Sequence, residues 1–406
     1  MSRAYITQYF CLSPLGLNSE QTRNSLLSGR TCITEFDHQL LPDSIPIRYL
    51  GLIPGQVLPF IGAHEIYNEA LLEQKKKWLD LFFSSFTEED DRELTSVIFV
   101  HNFGSNVFSY MHLRDHQKNT IWPTENYSMW CQNDFESRYK NKNINYISFH
   151  NTCAGVASAV AYAKKRIQLG YDKKIKVIAL EISNHYWPGF ITLHSLGVVN
   201  TKAANVNQAI LPFGLNRSGF AKADAIGYLM IESEDLVQKK GLQPYCEIAG
   251  QSMTSDSHSL TDGVEDGSMV EKTMQNALDD ARIQATDINY INAHGTGTYL
   301  NDLIEVRAIK RLFKDKYQDV YVGSTKSQYG HALCASGLVE ISSILEMFQG
   351  HFLAANINSD LSDKECDLNF VKNVITNHAT KYAIKNSFGF GGYNASLVLK
   401  NSRSLN

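Results

Sequence analysis

Short β-branched runs alternate with helical segments along almost the whole chain. This alternation restricts the fold more than any other feature. Ser96-Val97-Ile98-Phe99-Val100, Ile144 to Phe149, Lys176 to Leu180, Ile226 to Glu232 and Ile288 to Asn292 read as strands. Ser19 to Ser28, stopped by Gly29, reads as a helix, as do Val156 to Leu169, closed by Gly170, and Gly267 to Arg282. Asp302 to Phe313 and Leu338 to Met347 continue the series, and Tyr382 to Phe388 with Ser396 to Leu399 close it as strands. Residues 32 to 62 read as an irregular excursion, 64 to 87 as helix, and 116 to 143 as loop with short helix. Such alternation makes an α/β protein in which helices cover a sheet. No low-complexity linker divides the 406 residues, so either one large body or two domains is open.

Several function classes drop out. A net charge of -4 gives no global attraction to nucleic acid or to an anionic membrane. No window reaches 18 consecutive apolar residues, and the start MSRAYITQYF lacks the form of a signal peptide, so a cytoplasmic protein is expected. Seven scattered cysteines (Cys11, Cys32, Cys131, Cys153, Cys246, Cys334, Cys366) contain no CxxC and no Cys/His spacing for a metal. They read as reduced thiols, most of them buried small residues.

Cys153 stands apart, because a strand runs into Asn151-Thr152-Cys153-Ala154-Gly155 and a helix begins there. A thiol at a helix N-terminus gains from the macrodipole, and the free N–H groups can receive an oxyanion. The plainer alternative is a buried small residue. His294 follows a strand in the loop His294-Gly295-Thr296-Gly297-Thr298, and His331 follows Lys326-Ser327-Gln328-Tyr329-Gly330. Either histidine alone reads as structural; two in glycine-containing loops near Lys326 argue for a site. Gly389-Phe390-Gly391-Gly392 is either a hairpin turn or a second oxyanion donor.

At these residues the chain resembles the β-ketoacyl-[acyl carrier protein] synthases. NAHGTGTYLNDLIE, GSTKSQYGHALCASGLVE and NSFGFGGYNASLVL are similar to that family's His, Lys/second-His and C-terminal glycine motifs. The resemblance implies a thiolase-like fold: two similar βαβαβαββ halves (1–237 and 238–406) in a five-layer αβαβα sandwich. It implies decarboxylative Claisen condensation, with no metal and no cofactor beyond the phosphopantetheine of an acyl carrier protein. Cys153 would accept the acyl group, and His294 and His331 would assist loss of CO2. The N–H groups of Cys153 and Phe390 would form the oxyanion hole. Lys326 would support the histidines. Thr296 and Thr298 would contact the phosphopantetheine arm, Phe190 would gate the acyl pocket, and Glu340 would be a structural carboxylate at the substrate site. Lys75, Lys76 and Lys77 would dock the carrier protein. A homodimer is implied, or a heterodimer with a chain-length factor.

The chain departs from the family pattern in places. Ala223-Asp224-Ala225-Ile226-Gly227 replaces a glycine-rich stretch with Glu, Tyr393 stands where Thr is usual, and Cys334 where Gly is usual. Lys385 stands where a small hydroxyl residue is common, near where some members hold a monovalent cation; its ammonium would substitute for that ion. These departures point to specialised, type II polyketide-like synthesis rather than housekeeping fatty-acid synthesis. The alternative function is a non-elongating chain-length-factor-like partner. Retention of Cys153 and both histidines speaks against it, since such partners usually lose the cysteine.

Overall fold

A computed structural model describes residues 2–36, 46–56, 78, 80–82, 84–87, 93–101, 144–184, 187–358 and 363–403. The first half contains β1 (Ala4–Leu12), α1 (Ser19–Ser28), the small hairpin of β2 (Thr34–Glu35) and β3 (Tyr49–Leu50), then β4 (Ser96–Val100) and β5 (Asn145–Phe149). It continues with α2 (Gly155–Gln168), β6 (Lys174–Glu181), α3 (Trp187–Ser195), β7 (Ala225–Ser233) and α4 (Glu234–Lys240). The second half contains β8 (Cys246–Ser255), α5 (Ser268–Ala281), β9 (Tyr290–Asn292), α6 (Tyr299–Phe313), β10 (Tyr321–Gly323), α7 (Lys326–Tyr329) and α8 (Ser336–Gly350). A hairpin of β11 (Phe352–Leu353) and β12 (Ile375–Thr376) precedes β13 (Tyr382–Gly389) and β14 (Tyr393–Asn401).

The long strands form one ten-stranded sheet in the order β10-β9-β13-β14-β8-β1-β7-β6-β4-β5. Numbered within its own half, each set of five runs 3-2-4-5-1. The halves meet at their first strands through a two-residue antiparallel ladder, Tyr5 with Glu247 and Ile6 with Cys246. With the short α7 and the β11–β12 hairpin set aside, the second half reads β-α-β-α-β-α-β-β, the order implied for it.

Three apolar clusters show how the sheet is layered. Along β7, Leu229 and Ile231 belong to one cluster, and Ile226, Tyr228 and Met230 to another. This period-2 division buries both faces. The inner faces of both halves close on α2 and α8, whose Val156, Ala159, Val160, Leu338, Ile341 and Ile344 form the central layer. Both helices are buried nearly all round, as their small and apolar residues on every side require. Outside the second half lie α5 and α6, through Met274, Leu278, Ile304 and Ile309. Outside the first half lie Trp78 and Phe82. The result is five layers, with helices outermost and at the centre.

Local signals explain the helix limits. Asn18 caps α1, its side-chain oxygen accepting from the Gln21 N–H at 2.9 Å. Gly29 ends the helix in the left-handed conformation, φ 58°. Helices α3 and α4 are not among the segments expected from the sequence. The first is apolar but for Thr192, His194 and Ser195 near its end, too few polar positions to mark a period; the second is only seven residues long. Among the described residues no helix is long and apolar enough to cross a membrane.

Candidate active site

Helices α2 and α8 start in the same way, and their starts build the site. Each follows a single 3-10 turn, Thr152–Ala154 before α2 and Leu333–Ala335 before α8. Each turn opens on a residue with positive φ, Thr152 at 45° and Leu333 at 43°. Neither residue is a glycine, so both turns carry backbone strain that surrounding packing must hold. The second residue of each turn is a cysteine, Cys153 in one and Cys334 in the other. Cys153 lines a cavity of about 360 Å³. Cys334 is fully buried, its thiol donating to the Glu181 carboxylate at 3.3 Å.

Strand ends and the following loops bring His294, His331, Thr296, Thr298 and Phe390 to the same cavity. His294 follows β9. Its N–H and that of Gly295 donate to the two oxygens of Glu305, at 2.9 and 3.0 Å. Asp302, one turn earlier on α6, accepts from Phe213 N–H at 2.7 Å and Gly297 N–H at 3.2 Å. This buried carboxylate pair fixes the glycine loop. It lies within the NDLIE segment, where two acids three apart on a helix start were the available signal. The backbone of His331 is held by the first half: its N–H donates to Ala221 O at 2.8 Å, and its carbonyl accepts from Ala223 N–H at 2.9 Å. The imidazole rings of His294 and His331 stand 5.6 Å apart, nearly perpendicular at 82°.

Hydrogen bonds settle the proton on His294. The Lys326 ammonium donates to the His294 carbonyl at 2.6 Å and lies 3.3 Å from Nδ1. An ammonium only donates, so Nδ1 is an acceptor and a neutral ring carries its proton on Nε2. His331 Nδ1 sits 2.7 Å from Ser336 Oγ. Burial, reinforced by the Lys326 ammonium, holds both imidazoles well below their ordinary range. Both are therefore neutral near pH 7. The Cys153 thiol is pushed up to about 12 by burial, which outweighs the pull of Lys326 and of its own N–H. A thiol held up in this way needs an acceptor for its proton before it can attack.

The nucleophile turn rests against the β13–β14 hairpin. Thr152 Oγ1 donates to Phe390 O at 3.1 Å. A Cβ at Gly389 would lie 2.3 Å from Thr152 Oγ1 and 2.8 Å from Asn151 O, so only glycine fits. Gly389→Ala is expected to destabilise the protein by about 1–3 kcal/mol. It should also slow acylation of Cys153. Urea unfolding and intact-mass kinetics on the same preparation check both effects.

The other expected residues fall as follows. Lys326 is fully buried behind His294 and pairs with Glu340. Glu340 is buried behind Lys326 and does not line the cavity, so its place among substrate-binding residues is corrected to that of a counter-ion. It also pairs with Lys385 at 2.8 Å. Phe190 is fully buried in an apolar cluster with Leu193 and Leu333, against which Cys153 packs, and it does not line the cavity. Thr296 and Thr298 share a hydroxyl hydrogen bond of 2.8 Å. Lys75, Lys76 and Lys77 lie outside the described residues. Asp256 and Asn394, paired at 2.6 Å on the cavity wall, were not anticipated: Asp256 sits in no motif, and Asn394 lies in the C-terminal glycine motif without a role of its own there.

The chain is similar to several known proteins. Residues 245–360 match the family described as Beta-ketoacyl synthase, C-terminal domain. The 3-oxoacyl-[acyl-carrier-protein] synthase 2 of Staphylococcus aureus is 39% identical over 196 residues, 48% of this chain and 49% of that protein. The protein of the same name from Synechocystis is 32% identical over 250 residues, 61% of this chain and 59% of its own. The chain thus spans about half the length of the first relative and somewhat more of the second. A type II polyketide synthase acyl-carrier protein complexed with its ketosynthase superposes with a TM-score of 0.83 at 22% identity, covering 98% of this chain and 99% of that one. The ishigamide ketosynthase/chain length factor gives 0.81 at 21% over 98% and 99%. A Beta-ketoacyl synthase from Burkholderia phymatum gives 0.80 at 21% over 99% and 100%. The fold is therefore the thiolase-like fold of ketosynthases.

Proposed function

We propose that this chain, which belongs to the β-ketoacyl-[acyl carrier protein] synthase family, condenses an acyl thioester held on Cys153 with a malonyl thioester delivered by an acyl carrier protein. The observation that carries this reading is the meeting of one thiol and two neutral imidazoles in a single cavity. The Cys153 thiol gives its proton to a neighbouring imidazole, and its sulfur attacks the acyl thioester carbonyl. The carrier thiol leaves, and the acyl group stays on Cys153. The malonyl thioester then loses CO2. Its C–C bonding pair becomes an enolate, whose oxygen is held by imidazole N–H donors, His294 Nε2–H among them. The enolate carbon attacks the acyl carbonyl. The resulting oxyanion is placed at the N–H groups of Cys153 and Phe390, and collapse expels the Cys153 sulfur and releases the β-ketoacyl thioester.

Neutral donors suffice for an enolate, so we assign no metal or redox cofactor; the substrates would ride on phosphopantetheine, against Thr296 and Thr298. Phe190, beside Cys153 in the apolar cluster, is assigned as the gate of the acyl pocket, and the Lys75–Lys77 run as the carrier-protein dock. We place the reaction in the cytoplasm, since all six described cysteines are unpaired. The departures at Asp224, Cys334 and Lys385 favour specialised over housekeeping synthesis, with a homodimer or a ketosynthase/chain-length-factor heterodimer as the assembly. The test is incubation with malonyl- and acyl-carrier proteins and mass analysis of the carrier. A carrier lengthened by two carbons with one CO2 released is expected. Neither product forming with any acyl group would overturn the reading.

A further inference from the structure

Glu340 is flanked by two lysines in a fully buried pocket. Glu340, Lys326 and Lys385 are all at 0% exposure. One carboxylate oxygen pairs with Lys326, and the other lies 2.8 Å from Lys385 Nζ. The Lys385 ammonium also donates to Ser387 Oγ at 2.8 Å and to the Asn386 carbonyl. Lys326 then reaches His294 through its carbonyl and Nδ1. The condensation chemistry assigns Lys385 no role, since it does not line the cavity. A second buried ammonium is nevertheless expensive to keep unless it does something for the groups it holds.

We propose that Lys385 is a positioning residue: its ammonium holds one oxygen of Glu340 while Lys326 takes the other, which keeps the Lys326 ammonium against His294. The role, as a part of catalysis, rests on the condensation reading. With one lysine beside each oxygen, the carboxylate is held electrostatically from both sides. The pair also leaves excess positive charge beside two imidazoles, which opposes their protonation. The groups facing Lys385 are Glu340 on α8, Lys326 on α7, Glu305 on α6 and the two histidines. Tyr290 on β9 and Tyr329 on α7 face Glu340, and burial pushes both phenols up, so they stay neutral. Burial lowers Lys385 itself to about 8, with Lys326 adding to the fall and Glu340 opposing it. An alkaline limb is therefore expected in the wild type.

Two readouts test this, one independent of the reaction. In histidine-labelled protein, ring NMR follows His294 and His331 against pH. Lys385→Met should raise both titrations by about one pH unit, a tenfold change in protonation. In CO2 release from malonyl-carrier protein, Lys385→Met should lower kcat about tenfold with KM little changed. It should also move the acid limb upward and remove the alkaline limb. Lys385→Arg, which keeps the charge, should restore the acid limb. Because Lys385 acts through Glu340, adding Glu340→Gln to Lys385→Met should cost less than the sum of the two. Unchanged ring titrations in Lys385→Met, or full additivity, would overturn the proposal. Should that variant not fold, Ser387→Ala, which loosens the ammonium, should shift the titrations in the same direction; no shift there would overturn it as well. A wild type that releases no CO2 counts against the condensation reading, while the ring titrations still decide the role of Lys385.

Discussion

Cys153→Ala is expected to form no acyl-enzyme with any acyl-carrier protein, and condensation should fall by on the order of 10⁴- to 10⁶-fold. The effect is large because the thiol is the covalent attachment point, and no neighbour can replace it. Cys334 occupies the matching position of the second turn, but it is fully buried and tied to Glu181, so it has no access to substrate. Intact mass after incubation reads the result. An acyl adduct persisting in Cys153→Ala would remove Cys153 as nucleophile. Stability should change little, because the sulfur lies at the cavity edge of its apolar cluster rather than in its centre.

The second large effect concerns loss of CO2. His294→Ala and His331→Ala should each lower CO2 release from malonyl-carrier protein by about 10²- to 10³-fold. Acyl transfer to Cys153 should suffer less in at least one of the two. CO2 release unchanged in both would reject the enolate-stabilising role. The histidines also make a stability prediction, and its sign follows from their neutral burial. Their folded values lie well below 6.5, so the unfolded chain binds more protons in acid. Their contribution is present above pH 6.5 and is lost progressively as pH falls towards the depressed folded values. Urea unfolding midpoints measured from pH 7 down to 5 should therefore decline. The decline should be shallower in a variant with both histidines replaced.

Much of the site was legible because its residues sit where periodic structure breaks. Cys153 and His294 each come just after a strand and His331 just after the short helix α7, in stretches rich in glycine and small residues that interrupt the apolar pattern. The strands were legible for the reason seen in β7, where both faces are buried and the run is apolar throughout. What stayed hidden was long-range pairing of charge. Lys222, beside its near neighbour Asp224, reaches back to Glu181 at 3.7 Å and to the Asn184 side chain at 3.2 Å in a buried network. Asp224 is marked in the sequence only as a departure from the family pattern, and Lys222, Glu181 and Asn184 read as ordinary polar residues until the sheet brings them together. Glu340 is similar. Its spacing within α8 says nothing about the two lysines that reach it from α7 and β13. The thiol's high value was also missed, because the helix-start argument counts the dipole but not the apolar wall formed by residues distant in sequence.

The bond from Thr152 to the Phe390 carbonyl spans 238 positions of the chain. During synthesis the thiol emerges early, while the hairpin that braces its turn comes hundreds of residues later. A nascent chain therefore carries the cysteine without its brace through most of its time on the ribosome. The turn is braced only when β13 and β14 take their places between β9 and β8. Contacts this remote also make folding slow, so the cysteine's turn is among the parts of the molecule that wait for the end of translation.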